Sequence, residues 1–146
     1  MSDRMSCLWM ISYAWQAPSE GRLMDKGIEV QVEVRFIDRE SDAENGRYVF
    51  AYTILISNTG PDAGRLLSRY WRITDSDGKV EEVTGPGVVG KQPRLEPGEA
   101  FRYTSAAVLE TPVGSMEGYY EFVRDSGESF QVPIAAFSLS QPNVVH

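Results

Sequence analysis

The sequence predicts an all-β protein, built as an antiparallel β-sandwich of seven to nine strands. Short segments of alternating apolar and polar residues recur at intervals of roughly 8–12 residues, a spacing typical of sandwiches. Turn-forming residues (Gly, Pro, Asn and Asp) separate these segments. No segment keeps a helical period over about ten residues. With 146 residues, the chain has the length of one ordinary domain.

The first strand is predicted over Ile28 to Ile37, where apolar and polar residues alternate strictly. Asp38 to Gly46 is an acidic connection that ends in an Asn-Gly turn. The second strand, Arg47 to Asn58, is apolar on both faces and is therefore predicted to be central. The third strand, Leu66 to Thr74, carries Leu67, Trp71 and Ile73 on the same side.

The remaining predicted strands are Lys79 to Val83, Ala100 to Ser105, Gly114 to Arg124, Ser129 to Ile134, and a short edge strand around Phe137 and Leu139. Two features favour an immunoglobulin-like or fibronectin type III-like sandwich. Trp71 can fill the space between two sheets, and a Leu-x-Pro-Gly turn, Leu95 to Gly98, leads into Tyr103.

Composition narrows the classes of function. A formal charge of −7 and a pI near 4.7 argue against binding to nucleic acid or to an anionic membrane, because both favour a basic surface. The single cysteine, Cys7, cannot form an internal disulfide, which agrees with a reducing, cytoplasmic compartment. The only histidine is the last residue, His146, so a histidine-based catalytic triad or metal site is not expected. We expect no cofactor.

Residues 1–25 show no regular period, and we predict a poorly ordered N-terminal extension that precedes a domain over residues 26–146. Leu8 to Ala14 makes a poor signal-peptide core because Ser12 interrupts it. An alternative is that translation starts at Met24.

A glycine-rich segment has the spacing of a phosphate-binding loop, with Gly85, Gly87 and Gly90 in a G-x-G-x-x-G pattern. A dinucleotide site of this type needs a helix after the glycines, and Pro93 makes a helix here improbable. Pro86 also removes one backbone N–H from any anion nest.

Two interpretations of this segment stay open. Its amides and nearby cations could bind a phosphate or carboxylate, through Gly87, Val88, Gly90, Lys91 and Arg94. The favoured interpretation is structural, with the glycines allowing positive φ angles or close strand approach in a loop between strands.

Acidic turns are weak candidates for metal sites. Asp38 to Gly46 could gather Mg²⁺ or Ca²⁺, but its spacing matches no calcium loop, and a solvated loop is favoured. Asp75 to Gly78 has the D-x-D-G pattern of part of an EF-hand loop without its other ligands, and a hairpin turn is favoured.

The third strand carries three candidate contact residues. Arg69 shares its side of the strand with Trp71, so it needs a carboxylate partner such as Glu99 or Glu121 if it lies between the sheets. A β-bulge or a place at the sheet rim would explain it without function. Tyr70 and Arg72 face the other way, and a tyrosine flanked by arginines is a common composition of protein interfaces.

The chain resembles the ApaG family of small bacterial domains in three runs: RYVFAYTILISNTG, LLSRYWRITDSDGKVEEVTGPGVVGKQPRLEPGEAFRYTSAAVLETPVGSMEGYYEFV and IAAFSLSQPNVVH. The resemblance covers about Lys26 to His146 and implies a fibronectin type III-like sandwich. Pro86 stands where an acidic residue is common in the family, so a role of that side chain would not carry over.

The resemblance also implies a function. The same domain recurs in an F-box protein and in a polymerase-delta-interacting protein as a protein-interaction module. In bacteria the family is associated genetically with cobalt resistance and magnesium efflux, and no enzymatic activity is established for it. We therefore expect a non-enzymatic module with an unidentified protein partner, and a homo-oligomer is possible. The alternative is a nucleotide or pyrophosphate binder, less probably a hydrolase, that uses Gly85 to Lys91.

Overall fold

The computed structural model describes residues 7–11 and 27–142. Within these ranges it contains nine β-strands: β1 (Cys7–Ile11), β2 (Ile28–Phe36), β3 (Tyr48–Asn58), β4 (Gly64–Asp75), β5 (Val80–Pro86), β6 (Arg94–Leu95), β7 (Ala100–Leu109), β8 (Val113–Arg124) and β9 (Ser129–Ser140). Two 3-10 turns, Asp38–Glu40 and Ala43–Asn45, lie in the acidic connection between β2 and β3.

The strands form two sheets that face each other. One sheet has the order β1-β7-β3-β2, and the other has the order β5-β4-β8-β9, with the short β6 paired to β4. Every pairing is antiparallel. The predicted all-β antiparallel sandwich of seven to nine strands is therefore confirmed.

The core lies between the sheets and includes Trp71, which is 2% exposed. Its ring makes edge-to-face contacts with Tyr52, Phe137 and Tyr120, at centroid distances of 5.6, 5.9 and 6.3 Å. Such contacts add to the free energy of apolar burial. The predicted place of this tryptophan between the sheets is confirmed.

Several strands differ from the prediction, and β5 and β7 continue past the predicted ends, Val83 and Ser105, to Pro86 and Leu109. Strand β1 pairs with β7, from Cys7 opposite Thr104 to Ile11 opposite Ala100, within the segment where no strand was predicted. Backbone pairing alone can hold such a strand, so its sequence need not alternate. Strand β9 continues from Ser129 to Ser140 because it contains one extra residue at this point: Gly118 and Met116 of β8 pair with Ile134 and Phe137, as in a β-bulge. The short β6 was not predicted.

The domain boundary at residue 26 stays a prediction. The possible start at Met24, and most of the predicted extension, lie outside the described residues.

The two acidic connections are ordinary turns. The Oδ1 atom of Asp75 accepts hydrogen bonds from the backbone N–H groups of Asp77 and Lys79, both at 2.9 Å, so this carboxylate closes the hairpin between β4 and β5. In the first connection, the Asn45 side chain donates to Asp42 at 2.7 Å. The hairpin predicted at Asp75 to Gly78 is confirmed.

Candidate functional site

A cleft of about 360 Å³ opens between the two sheets on the side where β5 and β7 lie. Strands β4 and β5, the glycine-rich turn and β7 provide most of its walls. The residues that decide its chemistry are Arg69, Trp71, Glu81, Val83, Val89 and Ala107. Most of its lining residues are apolar, with one cation and one anion among them, but polar atoms make up about half of the exposed wall.

The side-chain sizes along β7 explain the cleft. Five alternate residues of this strand are buried and face the other sheet: Phe101, Tyr103, Ser105, Ala107 and Leu109. Three of them are large, but Ser105 and Ala107 are small, so the gap between the sheets is not filled at their level.

Arg69 lies at one end of this cleft. Its Nη1 group donates to the backbone oxygens of Gly87, at 2.9 Å, and Pro86, at 3.2 Å. No carboxylate among the described residues pairs with it, so the expected ion pair with Glu99 or Glu121 is not what holds this side chain. Its Nε and Nη2 groups find no hydrogen-bond acceptor within the described part of the chain.

The first glycine of the motif makes room for this arginine. A Cβ at position 85 would lie 3.1 Å from Nη1 of Arg69 and 3.3 Å from its Cζ, and Gly85 is the residue that pairs with Arg69 across β4 and β5. The glycine therefore lets the guanidinium lie flat over the neighbouring strand.

Two buried tyrosines lie near the guanidinium. The hydroxyl groups of Tyr103 and Tyr120 share a hydrogen bond of 2.6 Å in the core. Burial raises the pKa of both hydroxyls well above the ordinary value, and the positive charge of Arg69 opposes this only weakly. Both groups are neutral near pH 7, so they offer Arg69 no counter-charge.

The other two glycines build a tight turn. Val88 and Lys91 exchange two backbone hydrogen bonds of 2.8 Å, and the residues between them, Val89 and Gly90, have φ angles of +41° and +80°. Positive φ at both central positions is typical of a type I′ turn. A Cβ at Gly87 would lie 2.2 Å from the Lys91 oxygen, so this close approach requires glycine.

This turn leaves few amides for an anion. The N–H of Gly87 donates to Leu67 at 2.7 Å, and the N–H of Val88 donates to Lys91. The side chain of Arg94 binds Asp125 and Glu96, and these hydrogen bonds raise its pKa. Of the candidate phosphate ligands, only the Gly90 amide and the exposed Lys91 side chain have no partner among the described residues. The geometry therefore supports the structural interpretation of the motif more strongly.

The other two candidate contact residues lie on the opposite face of the sheet. Tyr70 stacks on Tyr119 with ring centroids 5.0 Å apart, and its hydroxyl donates to Glu82 at 2.7 Å. Arg72 is exposed on the same face. The alternation of β4 therefore separates Arg69 from Tyr70 and Arg72, and the three do not form one site.

Replacing Glu82 with glutamine is expected to lower the pKa of Tyr70 toward its ordinary value of 10.0. The hydrogen bond to Glu82 is the main reason why this pKa is raised, since it favours the neutral hydroxyl. NMR titration of the Tyr70 ring carbons measures the change. Because the folded-state pKa is raised, the stabilisation is fully present below pH 10 and is lost as the pH rises through the folded-state pKa. Unchanged titration in Glu82→Gln would contradict the assignment.

Two other kinds of feature, a metal-binding cluster and a membrane-spanning helix, are absent from the described ranges. No group of three or more His, Cys, Asp or Glu side chains is placed to hold a metal ion in residues 7–11 and 27–142. None of the described residues forms a helix that is long and apolar enough to cross a membrane.

Comparison with known proteins identifies the family. The family model of the ApaG domain matches residues 38–124. The chain belongs to the ApaG domain family. It is 55% identical over 119 residues to an ApaG protein of Xanthomonas campestris pv. campestris, and equally to one of Acidithiobacillus ferrooxidans. Each alignment covers 82% of this chain and 94% of the relative.

Solved structures agree with this ApaG assignment. A crystal structure described as an ApaA protein from Bordetella pertussis is similar with a TM-score of 0.78 and 48% identity, covering 80% of this chain and 95% of that one. A second X-ray structure, a structural-genomics target, has a TM-score of 0.79 and 45% identity and covers 84% of this chain and 93% of the other. The ApaG resemblance drawn from the sequence is confirmed.

The cleft contains residues that sequence reasoning missed. Glu81 lies in its wall, and Ala106 to Leu109 form its rim on β7. The only sequence signal was the pair of small residues, Ser105 and Ala107, on the buried side of an otherwise bulky strand.

Proposed function

We propose that this ApaG domain is a non-enzymatic interaction module that binds a protein partner in the cleft between its sheets. The observation that carries the proposal is the guanidinium of Arg69, half-buried beside an apolar surface, with Nε and Nη2 unsatisfied by the described residues. A partly buried cation without a counter-charge is costly. A carboxylate of a partner would remove that cost.

The rest of the cleft fits the same proposal. Arg69 is of a residue type that contributes strongly to binding free energy in protein interfaces, and the core residues Trp71 and Tyr103 form the floor of the cleft beside it. Val83 and Val89 add partly exposed apolar surface that an interface would remove from water. The outer face around Tyr70 is the second candidate surface. It is less favoured because the Tyr70 ring already stacks on the Tyr119 ring within this chain.

The family link to cobalt resistance and magnesium efflux is part of the proposal. With one cysteine and one histidine in its sequence, the chain is poorly equipped to bind cobalt itself. We therefore assign any effect on cation balance to the partner, which is sought among cytoplasmic proteins. A second copy of the chain is one possible partner.

Site-specific photo-crosslinking in native cytosol tests the proposed surface. A photoreactive residue replaces Val83, which is half-buried in the cleft beside Trp71, or Ala136, which is exposed on β9 away from it. We expect one major protein to be captured from position 83 and not from position 136. Capture of that protein from position 136 alone, or equally from both, would contradict the proposal.

Titration with pyrophosphate and ATP distinguishes the proposed interaction module from the alternative, a nucleotide or pyrophosphate binder. We expect pyrophosphate and ATP at millimolar concentration to leave the melting temperature and the heat of titration unchanged. Saturable binding that is lost in Lys91→Ala and kept in Arg69→Ala would favour the nucleotide or pyrophosphate alternative.

A further inference from the structure

The guanidinium of Arg69 is bonded to the described chain on one of its sides only. Its Nη1 group donates to the backbone oxygens of Gly87 and Pro86, at 2.9 and 3.2 Å. The Nε and Nη2 groups find no acceptor among the described residues. In a guanidinium group, Nε–H and one Nη2–H point in parallel, and this pair binds both oxygens of a carboxylate at once. The side of Arg69 that recognises a carboxylate is therefore the side that the described residues do not use.

The position of the Arg69 side chain is set before a ligand binds. The carbonyl groups of Pro86 and Gly87 hold Nη1, and the missing Cβ of Gly85 leaves space for the guanidinium, since a Cβ there would lie 3.1 Å from Nη1. A side chain that is already ordered loses little conformational entropy on binding. The guanidinium is therefore preorganised for a carboxylate that enters the cleft.

Apolar side chains adjoin the guanidinium on the wall of the cleft. Val83 pairs with Trp71, which is two residues from Arg69 along β4, so Val83 lies about 7 Å from the level of Arg69. Val89 lies two residues after Gly87, in the tight turn. Both valines line the cleft and are half-buried, so part of their apolar surface meets water. An apolar group next to the bound carboxylate would cover that surface.

The charges around the cleft fit a single carboxylate. Arg69 is the only cation among the described residues that line the cleft, and Glu81 lies at the level of Ile73, about 13 Å along the strands from Arg69. The whole chain has a formal charge of −7. A second carboxylate or an acidic segment would therefore be repelled by Glu81 and by the net charge of the protein.

The size of the cleft fits one residue at the end of a chain. Its volume of about 360 Å³ is that of roughly twelve water molecules, which is room for one large residue and not for a folded segment. A carboxyl-terminal residue carries its carboxylate and its side chain on the same Cα, so both reach the cleft together. An internal aspartate or glutamate supplies the carboxylate but no apolar side chain of its own.

We propose that the partner binds this cleft by its carboxyl terminus, with the terminal carboxylate on Nε and Nη2 of Arg69 and the apolar side chain of its last residue against Val83 and Val89. This inference rests on the proposed function and names the feature of the partner that is recognised. The carboxylate supplies the counter-charge that Arg69 lacks among the described residues, through charge-assisted hydrogen bonds. A charged last side chain is disfavoured, because it would lose water against the valines without gaining a partner.

Acetylated peptides of alanine and threonine test the terminus. The first ends in leucine with a free carboxyl group, the second is the same peptide with a carboxamide end, and the third is a carboxamide peptide whose last residue is glutamate. NMR titration of the full chain measures the three affinities. We expect the first peptide to bind about tenfold or more tightly than either amide, because only its last residue combines the bidentate contact with an apolar side chain. The Nε–H resonance of Arg69 should shift with the first peptide and not with the second.

Further probes assign the contacts. Arg69→Ala is expected to remove the preference for the free carboxyl group, and Arg69→Lys, which keeps the charge without the parallel N–H pair, should retain only part of it. Arg72→Ala on the outer face should leave the preference unchanged. A fourth peptide, with a free carboxyl group and glycine as its last residue, should bind several-fold more weakly than the first, because it covers no surface of Val83 and Val89.

Several results would overturn the inference. Equal binding of the first two peptides, or no binding of the first at millimolar concentration, would show that the cleft does not recognise a carboxyl terminus. Equal binding of the first and third peptides would assign Arg69 to a side-chain carboxylate. Isocaproate that binds as tightly as the first peptide would assign the cleft to a free carboxylic acid.

Failure of this inference is distinguishable from failure of the proposed function. If the protein captured from position 83 depends on Arg69 but binds unchanged after removal of its own last residue, the proposed function stands and the recognition of a terminus is wrong. If no protein is captured from position 83, the proposed function itself fails.

Discussion

Replacing Trp71 with alanine is expected to lower the free energy of unfolding by about 3–5 kcal/mol. The indole ring is 2% exposed and contacts three other aromatic rings from both sheets. Its removal leaves a cavity that opens into the cleft, and the surrounding strands are held by their own pairings and cannot collapse into it. The loss is a large share of the roughly 5–15 kcal/mol that stabilises a domain of this kind.

Urea denaturation followed by circular dichroism measures this loss. Arg72→Ala, one residue along the same strand but exposed on the outer face, is the matched control and should change the free energy by no more than about 0.5 kcal/mol. Similar midpoints for Trp71→Ala and Arg72→Ala would show that the tryptophan does not hold the sheets together.

Replacing Gly118 with alanine is expected to destabilise the protein by about 3 kcal/mol or more. A Cβ at this position would lie 1.9 Å from the backbone oxygen of Tyr70 and 3.1 Å from the Cα of Trp71. The atoms it meets are backbone atoms of the paired strand β4, so no side-chain rotation can relieve the contact. Strands β4 and β8 would have to separate at the centre of their sheet.

Gly98→Ala is the control for this substitution. Gly98 has a φ angle of +90°, but a Cβ there would meet no atom within 4 Å. Backbone strain alone should then cost about 1 kcal/mol. Thermal unfolding compares the two variants, and an equal fall in melting temperature would mean that the close approach at Gly118 relaxes without loss of pairing.

Strand patterning made most of the fold predictable. Strict alternation from Ile28 identified a half-buried strand, and the doubly apolar segment before Asn58 identified a central one, because burial on one or both faces determines which positions are apolar. Prediction from alternation failed where the register of strand pairing shifts. The pairing of β4 with β8 is irregular between Leu66 and Ser68, so Leu66 is fully buried while Leu67, predicted to share the side of Trp71, is half-exposed.

The glycine motif shows why spacing alone was ambiguous. Gly85 gives space to a neighbouring arginine, Gly87 allows a close backbone approach, and Gly90 supplies a positive φ angle in a two-residue turn. These three requirements come from unrelated contacts, so the G-x-G-x-x-G spacing does not by itself require a bound phosphate.

The candidate site was only partly predictable. Arg69 stood out because a charged residue interrupts the apolar side of a strand, and the structure places it in the cleft. The cleft itself depends on which residues of β7 lie opposite β4. The alternation of residues within either strand does not determine how the two sheets pack against each other. Glu81 could not be linked to Arg69 for the same reason.

The central claim is that a partner binds between the sheets and against Arg69. Calorimetric titration of the purified partner, once identified by crosslinking from position 83, tests it most directly with the Arg69→Ala and Arg72→Ala variants. The account predicts at least about tenfold weaker binding for Arg69→Ala and unchanged binding for Arg72→Ala. Full affinity in Arg69→Ala, or a loss confined to Arg72→Ala, would contradict it and assign recognition to the outer face of the sheet.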